Sequence, residues 1–66
     1  MTLTINGKPS EAPEHETVAG LVARLGLAGQ PCAVEVNRAV VPRREHGERE
    51  LRDGDVVEVV TLVGGG

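Results

Sequence analysis

Alternating apolar and polar residues divide the chain into short stretches, and a period of two predicts β-strands. The first strand is predicted from Thr2 to Asn6, with its leucine and isoleucine on one face. Asn6-Gly7 suits a type I′ hairpin turn, which needs positive φ at both central positions. Lys8 to Ala12 is therefore expected to return as a second strand. Pro9 places that strand at a sheet edge, because proline has no N–H to donate.

One stretch has helical spacing instead. Four apolar side chains recur at i, i+3, i+4 and i+7 and predict a two-turn helix: Val18, Leu21, Val22 and Leu25. Thr17 suits the N-cap, and Gly26 suits the left-handed position after the helix, with Leu27 making the accompanying apolar contact. Gly20 costs up to about 1 kcal/mol relative to alanine inside a helix. Close approach of the helix to the sheet is one explanation for it.

The second half of the chain begins with an alternating segment, Cys32 to Asn37, whose valines share one face. Asn37-Arg38 is expected to turn the chain into a short strand at Ala39–Val41. The charged run from Arg43 to Glu50 is predicted to be a solvated loop with one helical turn. Leu51 is the apolar residue expected to anchor that loop.

The stretch from Val56 to Val63 is predicted to be the longest strand. Its odd-numbered valines share one face, and its other face carries Val56, Glu58, Val60 and Leu62. Because both faces are largely apolar, the strand is expected at the centre of the sheet. A lone helix covers only one face of a small sheet. Val60, Leu62 and Glu58 are therefore predicted to form an exposed partner-binding patch.

Together these elements predict an α+β fold in which a mixed sheet of four or five strands packs on one helix. The last strand is expected to lie centrally, beside and parallel to the first. The 66 residues are expected to form a single domain, residues 1–66. A flexible tail is predicted at Gly64–Gly66.

Composition and charge narrow the classes of function. Phe, Tyr and Trp are absent, and the formal net charge is −3 with a pI near 5.2. The stacking side chains and basic surface needed for nucleic-acid binding are therefore missing. No stretch approaches the ~20 apolar residues of a membrane span, and no leader segment is recognisable. We expect a soluble, cytoplasmic protein with little room for an active-site cavity.

No set of side chains has the spacing of a catalytic or metal centre. His15 and His46 lie in separate polar loops and are predicted to be solvent-exposed. The lone Cys32 is expected to be a buried structural residue. We therefore predict no catalytic residue, no metal site and no cofactor bound by the chain itself.

The C-terminal glycines are the remaining candidate. Glycine is costly to order and has no side chain to pack, so Gly64 and Gly65 are interpreted as a thin extension that can enter a partner's channel. The carboxylate of Gly66 is itself a nucleophile at neutral pH. Its attack on the α-phosphate of ATP would give an acyl-adenylate open to persulfide sulfur. An enzyme partner must supply ATP, Mg²⁺ and the sulfur donor.

In order and spacing, several segments resemble those of the ubiquitin-like β-grasp sulfur carrier proteins of thiamine (thiazole) biosynthesis. The resemblance covers essentially the whole chain and rests on Asn6-Gly7, Thr17, Val18–Leu25, Ala33–Asn37, Val41–Arg43, Leu51–Asp55 and Val60–Gly66. The one departure is the extra Gly64 before the usual glycine pair, which lengthens the tail.

The resemblance implies a carrier and not an enzyme. Gly66 would be adenylated by a ubiquitin-activating-like adenylyltransferase, which uses ATP and Mg²⁺. Sulfur from a donor such as a cysteine desulfurase persulfide would make it a thiocarboxylate, and thiazole synthase would consume that sulfur. Three alternatives stay open: a carrier like the small subunit of molybdopterin synthase, a ubiquitin-like modifier joined through Gly66 to lysines of targets, and a small interaction domain with an incidental tail.

Overall fold

A mixed β-sheet packs against one helix in the computed structural model, which describes residues 1–62. The elements are β1 (Thr2–Ile5), β2 (Lys8–Glu11), α1 (Val18–Arg24), β3 (Cys32–Val36), β4 (Ala39–Val41) and β5 (Val56–Thr61). The predicted α+β architecture is confirmed. Val63 of the predicted last strand and the predicted tail at Gly64–Gly66 lie outside the described residues.

The sheet has the strand order β2-β1-β5-β3-β4, with β5 at its centre. β5 runs parallel to β1 and antiparallel to β3. The pairs β1–β2 and β3–β4 are antiparallel hairpins. Both hairpin turns have positive φ at their two central residues, Asn6-Gly7 and Asn37-Arg38, as a type I′ turn requires. The predicted parallel pairing of the last strand with the first is confirmed.

The core lies between the helix and one face of the sheet. Alternate residues of the strands point into it. Its buried hydrophobic residues are Leu3, Ile5, Ala12, Val18, Leu21, Val22, Val34, Val36, Val41, Leu51, Val57 and Val59. All of these side chains are aliphatic, since the chain contains no aromatic residue. Leu51 is 2% exposed, so the predicted anchoring of the charged loop is confirmed.

The charged loop after β4 caps the N-terminus of α1. The N–H of Val18 donates to the Arg49 carbonyl at 2.9 Å, and the N–H of Ala19 donates to the His46 carbonyl at 2.8 Å. The predicted N-cap, Thr17, accepts the N–H of Gly20 through its hydroxyl at 3.1 Å. Three N–H groups that a helix leaves without intrahelical partners are thereby satisfied. This loop starts with a 3-10 turn at Arg43–Glu45, so the predicted single helical turn is confirmed.

A Schellman motif ends the helix. The N–H of Leu27 donates to the Val22 carbonyl at 3.0 Å, and the N–H of Gly26 donates to the Ala23 carbonyl at 2.9 Å. Gly26 has φ +78°, the left-handed conformation that this cap requires. Leu27 packs against the core, which confirms the predicted apolar contact.

A bidentate ion pair joins Glu16, which precedes the N-cap of α1, to Arg24, the last residue of the helix. The guanidinium of Arg24 donates from Nε and from its terminal nitrogen to the two carboxylate oxygens of Glu16, each at 2.9 Å. The Glu16 side chain is only 6% exposed, and a carboxylate so buried needs such a partner. The hydrogen bond with Glu16 raises the pKa of Arg24 above its usual value.

The Glu16 side chain is also one of the nearest neighbours of Gly20. A Cβ atom at Gly20 would lie 3.4 Å from Cγ of Glu16 and 3.4 Å from the Thr17 hydroxyl oxygen. No sheet atom is among these neighbours, so the expected close approach of helix and sheet is wrong. The two distances are those of ordinary van der Waals contact.

We therefore expect Gly20→Ala to stabilise the protein, by up to about 1 kcal/mol, because alanine loses less backbone entropy in a helix. Gly26→Ala is the matched control and should destabilise it, since φ at that position is +78°. Urea denaturation followed by circular dichroism gives both free energies of unfolding. A loss of stability in Gly20→Ala would show that the 3.4 Å contacts with Glu16 and Thr17 cannot accommodate a methyl group.

Candidate partner-binding face

The face of the sheet opposite the helix, here called the outer face, is open to solvent. On β5 the core-facing residues Val57 and Val59 are buried, whereas Val56, Glu58 and Val60 are exposed. Leu62, the next residue in this alternation, is exposed as well. The structure therefore brings the three residues of the predicted patch, Val60, Leu62 and Glu58, onto one face.

Exposed apolar side chains are concentrated on this face. Within residues 1–62 the exposed large hydrophobic residues are Leu25, Val40, Val56, Val60 and Leu62. All except Leu25 occupy outer-face positions of β4 and β5 or of the residue that follows β5. Val60 is 56% exposed and Leu62 is 54% exposed. A cluster of this kind on a small protein is typical of a binding surface.

The register of β3 against β5 sets the neighbours of Val60 and Glu58. Ala33 lies opposite Val60, and Glu35 lies opposite Glu58. On the far side of β3, Val40 pairs with Glu35 and is 66% exposed. The outer face thus carries two facing carboxylates bordered by valines.

Asn6 extends the pairing of β5 beyond the end of β1. Its side-chain oxygen accepts the N–H of Val59 at 2.8 Å, and its side-chain nitrogen donates to the Val59 carbonyl at 3.2 Å. The backbone N–H of Asn6 donates to the Val57 carbonyl at 2.9 Å. The side-chain amide acts as one more peptide group of the parallel ladder, so β5 stays paired where β1 has turned away.

Asn37 makes similar hydrogen bonds to the other edge of β5. Its side-chain oxygen accepts the N–H of Val56 at 2.9 Å, and its backbone N–H donates to the Val56 carbonyl at 2.7 Å. Its side-chain nitrogen donates to the Asp55 carboxylate at 3.0 Å. The asparagines of the two hairpin turns therefore fix β5 from opposite sides.

Of the other side chains considered from the sequence, Cys32 and His46 line one depression on the helix side, and His15 is not among its lining residues. His15 is exposed and contacts the Glu50 carboxylate at 3.1 Å. His46 is half-buried, and its Nε2 lies 3.1 Å from the Val41 carbonyl, so the predicted solvent exposure of His46 is wrong. His46 belongs to the loop that caps α1, and its own carbonyl accepts the N–H of Ala19. Cys32 is half-buried rather than buried, beside Thr61 in the sheet register.

The depression beside Cys32 has a volume of about 270 Å³. Another depression among residues 1–62, lined by polar and charged side chains such as Glu48 and Arg49, has a volume of about 550 Å³. Across residues 1–62, no group of three or more His, Cys, Asp or Glu side chains is arranged to hold a metal ion. In the same part of the chain, no helix is long and apolar enough to cross a membrane.

Two features of the face were not predicted from the sequence. Alternation places Glu35 on the outer face, but the β3–β5 register that puts it opposite Glu58 is not visible in a pattern with period two. Asn6 and Asn37 are recognisable as turn residues, whereas their hydrogen bonds to β5 depend on strands distant in sequence. The only local signal for either asparagine is its preference for positive φ.

A family model described as the ThiS family matches residues 3–66. The chain belongs to the ThiS family. The sulfur carrier protein ThiS of Bacillus subtilis (strain 168) is 35% identical over 65 residues, which cover 97% of this chain and 98% of that protein. The ThiS of Thermus thermophilus is 39% identical over 62 residues, covering 94% of this chain and 95% of that protein.

Longer relatives carry a similar stretch. A thiazole synthase of Magnetococcus marinus is 42% identical over 66 residues, all of this chain but 20% of that protein. This ThiS-family chain therefore spans a fifth of the length of that relative.

Among solved structures, the crystal structure of the thiamine biosynthesis protein ThiS from Geobacter metallireducens matches with a TM-score of 0.84. The two chains are 38% identical, and the match covers 100% of each. The β-grasp fold predicted from the sequence is therefore confirmed.

We expect Asn6→Gly to destabilise β5, since it keeps the turn conformation but leaves the N–H and carbonyl of Val59 without their partner. Losing such partners costs about 1–3 kcal/mol. Asn6→Asp keeps the acceptor for the Val59 N–H and should lose less. Urea denaturation and hydrogen exchange of the Val59 amide measure the two effects.

Arg38→Gly is the control for introducing glycine at a positive-φ turn position, because φ at Arg38 is +71°. It should be neutral or stabilising. Equal stability of Asn6→Gly and Arg38→Gly, with unchanged exchange at Val59, would contradict a role of the Asn6 amide in holding β5.

Proposed function

We propose that this chain is the sulfur carrier of thiamine biosynthesis, and that the α-carboxyl of Gly66 is the group that carries the sulfur. The observation that supports this most is the family match, which extends through Gly66. Two relatives matched over nearly their whole length are named sulfur carrier proteins. The solved structure that matches the whole chain is a thiamine biosynthesis protein, which favours thiamine biosynthesis over the molybdopterin pathway.

The chemistry follows from a terminal carboxylate. One carboxylate oxygen of Gly66 attacks the α-phosphate of ATP, and pyrophosphate leaves. The terminal sulfur of a persulfide then attacks the carbonyl carbon of the acyl-adenylate, and AMP leaves. A thiol cleaves the resulting acyl disulfide, which gives the thiocarboxylate and a new disulfide. Glycine suits this position because no Cβ crowds the reacting carbonyl.

In this proposal, partner enzymes supply the ATP, the Mg²⁺ and the persulfide sulfur. A ubiquitin-activating-like adenylyltransferase binds ATP and Mg²⁺, and a cysteine desulfurase provides the persulfide. Thiazole synthase receives the sulfur.

The outer face is the surface that we propose the partners contact. Residues 63–66 follow β5 and Leu62 in the sequence, so an enzyme that binds Val60 and Leu62 would hold the chain a few residues before Gly66. Gly64 and Gly65 are proposed to pass through the partner's channel, since glycine has the smallest cross-section of any residue. Glu58 lies between Val56 and Val60 on this surface.

Incubation of the chain ending at Gly66 with ATP, the adenylyltransferase and a sulfur source should replace one terminal oxygen by sulfur. Intact mass alone is ambiguous, because oxidation of Met1 or Cys32 adds nearly the same mass. Fragmentation mass spectrometry must therefore place the added sulfur on Gly66. A chain lacking Gly65 and Gly66 is the control and should give no thiazole in a reconstituted synthesis. Sulfur found at another residue, or thiazole made by the truncated chain, would refute the proposal.

Val60→Asp should reduce adenylation of Gly66 by weakening binding to the adenylyltransferase at least about tenfold, because it buries an unpaired charge in the contact. Ala23→Asp adds the same charge at an exposed position of α1 and should leave adenylation unchanged. Circular dichroism must show that both variants fold. If Val60→Asp is adenylated as fast as Ala23→Asp at subsaturating carrier concentration, the outer face does not contact that enzyme.

A further inference from the structure

Two carboxylates face one another on the outer face. Glu35 and Glu58 are directly opposite in the antiparallel pairing of β3 with β5. Side chains in such positions have Cβ atoms about 4.5–5.5 Å apart, and like charges there are destabilising. Among residues 1–62, neither carboxylate has an ion-pair or side-chain hydrogen-bond partner.

The surroundings of the pair would strengthen any interaction with an added cation. Glu35 is half-buried, and its neighbour on β4 is the exposed Val40. Along β5, Glu58 lies between the exposed Val56 and Val60. When a partner covers these valines, water is removed from around both carboxylates, and Coulomb attraction to a cation becomes stronger than in water.

A guanidinium fits this arrangement better than an ammonium. Its planar fork presents several N–H donors and can bond two carboxylates at once, and it is more weakly hydrated than an ammonium. It also packs against apolar side chains such as the bordering valines. A second copy of this chain does not suit the face, because a symmetric contact would bring four carboxylates together.

We propose that Glu35 and Glu58 together receive one arginine side chain of thiazole synthase, while Val60 and Leu62 pack against the apolar surface around it. This inference rests on the proposed function. Thiazole synthase is the partner chosen because stretches similar to this chain occur within longer proteins of that name in Magnetococcus marinus and Paramagnetospirillum magneticum. The repulsion within the free carrier is then relieved on binding, so the pair favours the bound state.

The test uses Glu35→Gln and Glu58→Gln, which keep size and shape but remove one negative charge each. Calorimetric titration of each variant into thiazole synthase gives Kd at low and at high salt, and urea denaturation gives the stability of the free carrier. We expect each substitution to raise the denaturation midpoint and to weaken binding about tenfold, the loss of one charge-assisted hydrogen bond. Each should also reduce the dependence of Kd on salt.

The expected gain in stability and loss of affinity have opposite signs, and this separates a role in binding from a role in folding. If the two glutamates were merely structural, their substitution would lower stability and affinity together. Glu48→Gln is the matched control, as Glu48 is exposed and has no ion pair within residues 1–62. It should leave Kd and its salt dependence as in the unsubstituted chain. Equal affinity and equal salt dependence of Glu35→Gln, Glu58→Gln and Glu48→Gln would overturn the proposal.

The remaining outcomes are also decisive. Weaker binding to the adenylyltransferase but not to thiazole synthase would overturn the choice of partner. An unsubstituted chain without affinity for thiazole synthase would overturn this inference, whereas sulfur located on Gly66 would still support the proposed function. Failure of the thiocarboxylate experiment alone, with the expected binding changes, would refute the sulfur chemistry and leave the arginine contact standing.

Discussion

Pairing of β5 on both of its edges is the interaction on which the rest of the structure depends. β1 binds one edge and β3 the other, and each edge is completed by an asparagine amide from a hairpin turn. Without β5 the sheet would separate into two hairpins, and an isolated hairpin is at best marginally stable in water. The helix would then have no continuous apolar surface to cover. The fold is thus one central strand with two hairpins added to it.

Features of the fold that depend on neighbouring residues could be predicted from the sequence. Contacts between residues distant in sequence could not. The alternation in Thr2–Ile5 and Cys32–Val36, the helical spacing from Val18 and the cap at Gly26 are properties of neighbouring residues, and they are found as expected. The capping of α1 by the carbonyls of His46 and Arg49 is not local, because it joins segments about thirty residues apart in the printed sequence.

The partners of charged residues could not be predicted from the sequence, because they depend on the tertiary structure. Nothing in the sequence pattern marks Glu16 as buried, yet its side chain is 6% exposed and is paired with Arg24 eight residues later. Glu35 and Glu58 are unremarkable in a sequence, and only the strand register makes them a facing pair. The candidate face was therefore predictable in its apolar part, through Val60 and Leu62, and not in its electrostatic part.

The central position of β5 has a mechanical consequence. A force applied to the chain beyond Leu62 along the strand direction would load the hydrogen bonds on both edges of β5 in shear. These bonds lie roughly across the strand, so they would share the load and break together rather than one after another. The same force on the edge strand β2 could peel its pairs in sequence. The sheet would therefore resist a force applied beyond Leu62 better than the same force applied to its edge strand.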